Sequence, residues 1–286
     1  MRDQEPTRVI TRRSFLKLSG AATFAALGAL TAYSLLGNEA DSPVIERAQI
    51  PISNLPSALD GFRIVQISDI HYYPFTTIEL VDHAVQMANQ LQPDLTVLTG
   101  DYVWHEAEPV FDLAPALAQL NAKYGVYAGL GNHDLWTDVE AVTLALKQER
   151  LPLLVNQGMQ ISVGNSSLYL ASLDDGWSGK PDLEVAMANW SEDAVTVLLM
   201  HEPDLAPRYA LDKRIHLQLS GHSHGGQVRL PFYGPLILPY LSWKYSMGLY
   251  NVDGMWLYTN RGLGTTNVPV RVNCAPEITE LTLVNV

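Results

Sequence analysis

A pattern repeated at five places constrains this chain most: an apolar, alternating run stops on side chains able to bind a metal. Phe62-Arg63-Ile64-Val65-Gln66-Ile67-Ser68 stops on Asp69-Ile70-His71, and Leu95-Thr96-Val97-Leu98-Thr99 on Gly100-Asp101. Gly125-Val126-Tyr127-Ala128-Gly129-Leu130 stops on Gly131-Asn132-His133-Asp134. Val195 to Met200 stops on His201, and Ile215 to Leu219 leads into Gly221-His222-Ser223-His224-Gly225-Gly226. Runs of this length and alternation predict strands. Residues at the same ends of neighbouring strands converge on one edge of a sheet. His222 and His224, two apart, share a face in an extended segment.

Each of these residues has a structural alternative: a cap or turn for Asp69, a turn for Asp101 and Asn132, a satisfied core histidine for His201. As a set they make a ligand constellation. Five of the eight histidines fall at these ends. Carboxylate, amide and imidazole donors favour Mn, Fe or Zn over Ca or Mg. One carboxylate can bridge two cations roughly 3.5–4 Å apart, so seven residues suffice for two divalent metal ions, a pair suited to phosphoryl transfer. His133 is placed to protonate a leaving group or steady phosphate oxygens, with Asp134 next to it to orient the imidazole.

Between the runs, 77–91, 111–121 and 139–149 have helical spacing, with Val81, Ala84, Val85, Ala88 and Leu91 on one face of the first. Residues 43–56 read as an extended lead-in with an edge strand at Val44-Ile45. Strands are expected at 160–163, 167–173, 255–259 and 278–284. Helices alternate with strands first and strands predominate later, which points to a layered α/β sandwich and not a doubly wound sheet or barrel. The single cysteine, Cys274, excludes an internal disulfide and a Cys-rich zinc site. The net charge is -12 and basic residues are unclustered beyond the N-terminus, so no nucleic-acid groove is expected.

Residues 1–40 stand apart from the fold, leaving 41–286 as one catalytic-type domain. Thr11-Arg12-Arg13-Ser14-Phe15-Leu16-Lys17 precedes an uncharged run, Leu18 to Leu36. This resembles a twin-arginine (Tat) signal. The resemblance implies the Tat translocase as a partner and a periplasmic location, or one on the outer face of the cytoplasmic membrane. The Tat route carries folded proteins, which suggests metal loading in the cytoplasm. The run approaches the ~20 residues that span a bilayer, so an uncleaved anchor touching the membrane through 18–36 is the alternative to a cleaved signal.

The ordered blocks Asp69-x-His71, Gly100-Asp101, Gly131-Asn132-His133-Asp134, His201 and Gly221-His222-x-His224 resemble the calcineurin-like metallophosphoesterase superfamily over roughly 62–230. The resemblance implies a four-layer αββα sandwich with a dinuclear site. By it, Asp69, His71, Asp101 and His224 hold one metal, and Asp101, Asn132, His201 and His222 the other. Asp101 bridges, His133 is the catalytic histidine, and a metal-bridging hydroxide attacks phosphorus. Tyr102-Val103-Trp104 departs from the protein Ser/Thr phosphatase pattern. Trp104 stands where purple acid phosphatases carry a tyrosine ligand.

The leader, Gly225-Gly226-Gln227, and the tail from Asn260-Arg261-Gly262-Leu263-Gly264 to Cys274-Ala275-Pro276-Glu277 look like a bacterial Tat-exported phosphodiesterase subfamily. Some of its relatives are similar to UDP-2,3-diacylglucosamine hydrolases. The expected activity is hydrolysis of a small phosphodiester, with a lipid-linked substrate as an option. The alternatives are a phosphomonoesterase or a pyrophosphatase acting on a nucleotide-linked lipid precursor, and, from another class, a non-catalytic envelope-binding protein. Arg261 is a candidate phosphate contact, with a structural role as the alternative. Pro239-Tyr240-Leu241-Ser242-Trp243-Lys244-Tyr245 reads as a substrate or lipid-facing wall, or as core or rim packing. Asp174-Asp175-Gly176 reads as a turn.

Overall fold

The structure, a computed structural model, describes residues 38–286 throughout and, before them, 11–13, 15–17, 19–21, 23–24 and 27–28. Most of the uncharged run 18–36, on which the signal and anchor readings rest, lies outside the described residues. Among the described residues no helix is long and apolar enough to cross a membrane. The body, Glu39–Val286, is one compact unit.

In chain order the first half runs β1 (Val44–Ile52), β2 (Arg63–Ile67), α1 (Ile78–Gln90), β3 (Leu95–Leu98), α2 (Val110–Leu117), β4 (Val126–Ala128), α3 (Asn132–Thr137) and α4 (Val139–Gln148). The second half adds β5 (Gln157–Val163), β6 (Ser166–Ser172), α5 (Leu183–Ala186), β7 (Val195–Leu199), α6 (Ala206–Tyr209) and β8 (Ile215–Ser220). A small hairpin, β9 (Arg229–Leu230) and β10 (Gly234–Pro235), precedes β11 (Gly248–Val252), β12 (Met255–Thr259) and β13 (Glu277–Asn285).

One sheet has the order β1-β13-β2-β3-β4 and the other β11-β12-β8-β7-β6-β5. The apolar runs explain why the sheets stack. β3 is buried along its length; Leu95 and Val97 face the other sheet, while Leu98 faces the helices. In β7, Val195, Val197 and Leu199 point into the inter-sheet layer, and Leu198 points out. A strand covered on both faces carries apolar residues at successive positions instead of alternating. Helices α1, α2 and α4 cover the first sheet through Val81, Ala84, Val85, Leu113, Leu117, Val142 and Leu146. A thinner layer built on Ala186, Met187 and Tyr209 covers the second. The result is the four-layer αββα arrangement.

β2, β3 and β4 are parallel, as are β6, β7, β8 and β12. Parallel strands present their C-terminal ends on one edge, where ligands of open α/β sheets gather. Four departures from the expected elements matter. β1 is not a fragment: it pairs with β13 from Val44↔Glu277 to Ile52↔Asn285. α2 stops at Leu117 and continues as turns, Gln119 N–H to Ala116 O and Leu120 N–H to Leu117 O. Asn132 opens a helix instead of ending a strand in a turn. The hairpin β9–β10 and strand β11 were absent from the sequence expectation.

Candidate metal centre

All five strand ends meet. Asp69 N–H donates to Gly100 O (3.0 Å), His71 N–H to Asp101 O (3.1 Å) and Gly221 N–H to His201 O (3.0 Å), tying neighbouring ends together. Both Asp69 oxygens accept from His222 N–H, at 2.9 and 3.0 Å, which stitches the first sheet to the second. Close approach needs glycine here: a Cβ on Gly131 would strike the Asp101 carboxylate and the His201 ring. Asp69, His71, Asp101, His222 and His224 all sit at φ between 43 and 67°. Left-handed backbone in non-glycine residues costs of order 1–3 kcal/mol each and marks sites whose surroundings hold them there.

Asp69, His71, Asp101, Asn132, His201, His222 and His224 are all buried and His133 is half-buried. Ligand atoms fall into three overlapping groups, each within 4.8 Å: Asp69/His71/His224, His71/Asp101/His133 and Asp101/His201/His222. His71 Nε2 lies 3.0 Å from His224 Nε2, and His224 Nε2 is 3.3 Å from Asp69 Oδ1. Asp101 Oδ1 accepts from His133 N–H (2.8 Å), leaving Oδ2 3.3 Å from His71 Nε2 and 3.1 Å from His201 Nε2. One carboxylate oxygen therefore sits between two ligand groups.

The sequence profile described as calcineurin-like phosphoesterase matches residues 62–226, more than half the chain and the span of all five strand ends. The chain belongs to the calcineurin-like phosphoesterase family. As a member it is a metal-dependent phosphoric ester hydrolase. This phosphoesterase is 39% identical to the uncharacterized metallophosphoesterase YkuE of Bacillus subtilis, over 96% of this chain and 98% of that protein. Phosphodiesterase YaeI of Escherichia coli is 33% identical over 78% of this chain and 82% of its own length. A Bos taurus protein described as a transmembrane protein with metallophosphoesterase domain is 34% identical over 88% of this chain, which spans 60% of that protein. Among solved structures, a 5'-nucleotidase precursor of Thermus thermophilus shares the fold, with TM-score 0.50 and 15% identity over 77% of this chain and 54% of that one.

The donor set of the phosphoesterase suits divalent ions. His71 Nδ1 meets Val103 O (3.2 Å), His201 Nδ1 meets Thr99 O (2.7 Å) and His222 Nε2 meets Tyr240 O (2.7 Å). A carbonyl can only accept, so each of these nitrogens carries a proton and the other nitrogen is the one turned to the site, the orientation of metal-bound imidazoles. Asn132 Oδ1 is buried with no hydrogen-bond partner. Buried polar atoms are normally satisfied, and a cation is what this acceptor lacks.

Electrostatics agree. Burial drives Asp101 upward, but His201 and His133, with hydrogen bonds from His201 and His71, hold the carboxyl well below the usual range. Burial lowers His201, yet Asp101 and Asp69 raise it well above its ordinary 6.5. Burial takes His222 down to about 3, helped by His201. Burial likewise lowers His133 to about 4 against the pull of Asp101.

Two expected roles are corrected. Asp134 does not orient His133. Its oxygens accept the N–H groups of Asp101 (2.8 Å), Tyr102 (2.8 Å) and Gly131 (2.9 Å), while His133 Nδ1 donates to Trp104 O (3.1 Å). Arg261 does not reach for phosphate: its guanidinium pairs with Glu277 (2.6 Å) and with Glu46. A guanidinium that does meet a proposed ligand belongs to Arg271, fully buried, with one amino group 3.5 Å from His224 Nδ1 and bonds to the carbonyls of Arg261, Gly264 and Cys274. Nothing in the local sequence distinguishes it.

Asp174-Asp175-Gly176 also does more than turn the chain. Asp175 and Glu202, both buried, accept the N–H groups of Gly176, Trp177 and Ser178. They pin Trp177 with its ring edge-on to His222, 5.8 Å away. The doublet Glu202 beside His201 was the available signal.

Proposed function

We propose that this phosphoesterase hydrolyses phosphodiesters using two divalent ions, Mn, Fe or Zn. Asp69, His71, Asp101 and His224 would hold one, and Asp101, Asn132, His201 and His222 the other. The observation that carries this is Asp101 Oδ2, held between His71 Nε2 and His201 Nε2 at 3.3 and 3.1 Å. Bound ions supply Lewis acidity toward the phosphoryl oxygens and an activated water.

The chain's own residues do the positioning and move the proton. Stacked on Trp104 (4.3 Å) with Nδ1–H on its carbonyl, His133 keeps Nε2 toward Asp101 and His71. Burial leaves the ring neutral at neutral pH. An anionic phosphoryl group beside Nε2 raises its proton affinity, so His133 carries a proton to the departing alkoxide oxygen. The diester preference rests on charge. Arg261 is committed to Glu277 and Glu46, and Arg271 to backbone carbonyls, so neither is spare for a monoester dianion. The relative named phosphodiesterase YaeI supports the same reading.

Export by the twin-arginine route, to the periplasm or the outer face of the cytoplasmic membrane, is part of the proposal. It is supported by Arg12-Arg13-Ser14-Phe15-Leu16-Lys17. The bovine relative described as a transmembrane protein supports a membrane setting.

The test is turnover of bis-p-nitrophenyl phosphate by the full chain. Activity is expected with Mn, lost on chelation and restored by re-addition, and Asp101→Asn is expected to lower kcat/KM by on the order of a thousandfold. Folded, metal-loaded protein without turnover would refute the enzyme reading. Faster turnover of p-nitrophenyl phosphate than of the diester would replace the diesterase by a monoesterase.

A further inference from the structure

We propose that residues 231–243 form an apolar prow that enters a lipid bilayer surface and sets the metal centre at the headgroup layer. The turn of hairpin β9–β10 leaves Phe232 fully exposed and Tyr233 74% exposed; beyond it Ile237 is 80% and Trp243 67% exposed. Isolated exposed apolar residues are ordinary, but a contiguous cluster marks an interaction surface.

The backbone beneath these rings is braced. Leu236 N–H donates to Val228 O (3.1 Å), and the Asp204 carboxylate accepts the N–H groups of Trp243, Lys244 and Tyr245 at 2.7–3.1 Å. A Cβ on Gly226 would strike Pro235, so the hairpin lies directly on the loop of His222 and His224. The rings are thus held out by fixed structure.

Charge selects the occupant. The chain has 30 acidic residues, yet 215–252 contains none and carries Arg229 and Lys244. The body as a whole is acidic, and repulsion by an anionic membrane is reduced when it leads with a segment free of carboxylates. Aromatic and aliphatic tips flanked by Arg229 and exposed Lys244 have the composition of interfacial anchors.

The patch is continuous with the metal centre. Trp243 meets Tyr240 (6.0 Å), Tyr240 meets Trp177 (5.4 Å), Trp177 meets Trp136 (4.7 Å) and Trp136 meets His133 (4.8 Å). Tyr240 also accepts from His222 through its carbonyl. Lowering the prow into a bilayer therefore carries the mouth of the site to the depth of lipid phosphates. Interfacial docking is a property of this surface and is read independently of turnover.

Cys274 is the only cysteine and is buried, so a dye can be placed at one chosen position. Ile237→Cys in the full chain, labelled with an environment-sensitive dye, is expected to brighten severalfold on vesicles of phosphatidylglycerol and phosphatidylcholine. Leu144→Cys, an exposed leucine on α4, is expected to stay dim. Adding Phe232→Ser and Trp243→Ser should remove most of the response at 237. Equal responses at 237 and 144, or none at 237, overturn the proposal. Brightening at 237 without vesicles that grows with protein concentration also overturns it, in favour of a second copy of the chain on this face.

Discussion

His133 and Asp134 are adjacent in sequence, but successive helical residues point about 100° apart, and α3 sends them to different work. Asp134 holds three backbone N–H groups around Asp101 while burial, with Asp101 second, pushes its own carboxyl to about 7 against those same bonds. Asp134→Asn turns an amide donor toward groups that themselves donate. Leaving one or two buried N–H groups unpaired costs roughly 2–3 kcal/mol; the expected fall in stability is read by denaturant unfolding, and an unchanged midpoint would show those bonds to be dispensable. Adjacency was legible in the sequence, but which way each side chain faces was not, because α3 was not foreseen. His201 supports a second prediction. Without metal it retains a proton above its ordinary 6.5, and metal must displace that proton. Affinity is therefore expected to weaken as pH falls, with protons released on binding. Calorimetry in two buffers of different ionisation heat checks this, since identical heats mean no release.

At the scale of elements, the site depends on how closely strand ends approach. Gly131 joins β4 to α3 where a Cβ would strike Asp101 and His201. Gly131→Ala is expected to cut metal content well below wild type while far-UV circular dichroism stays unchanged, because the added methyl displaces donors and no core residue. Metal analysis at full occupancy would show that the edge can yield. The strands were legible because burial on both faces writes long apolar runs, as in β3 and β7, and those runs end where the ligands stand. The two-residue strands β9 and β10 are too short to write any period. α3, six residues opened by Gly131-Asn132, carries the signature of a turn. α2 was read too long because Leu120 remains buried in the turn after the helix ends.

Over the whole molecule, the sequence placed all seven proposed ligands on one edge. It could not show that Arg261 is spent on Glu277 and Glu46, since those partners lie 16 and 215 residues away. Arg12→Lys with Arg13→Lys is expected to leave the full-length chain in the cytoplasm, as cell fractionation would reveal; normal export of the double variant would refute the twin-arginine route. The position of β13 bears on the timing. It lies between β1 and β2, antiparallel to the strand that leads to Asp69 and His71, yet it follows every other described strand in the chain. Until it leaves the ribosome, β1 has no neighbour in its sheet and β2 has an open flank. The sheet that carries Asp69 and His71 cannot close on a chain threaded outward segment by segment, so it closes only after β13 is made and, on the proposed export route, before passage through the membrane.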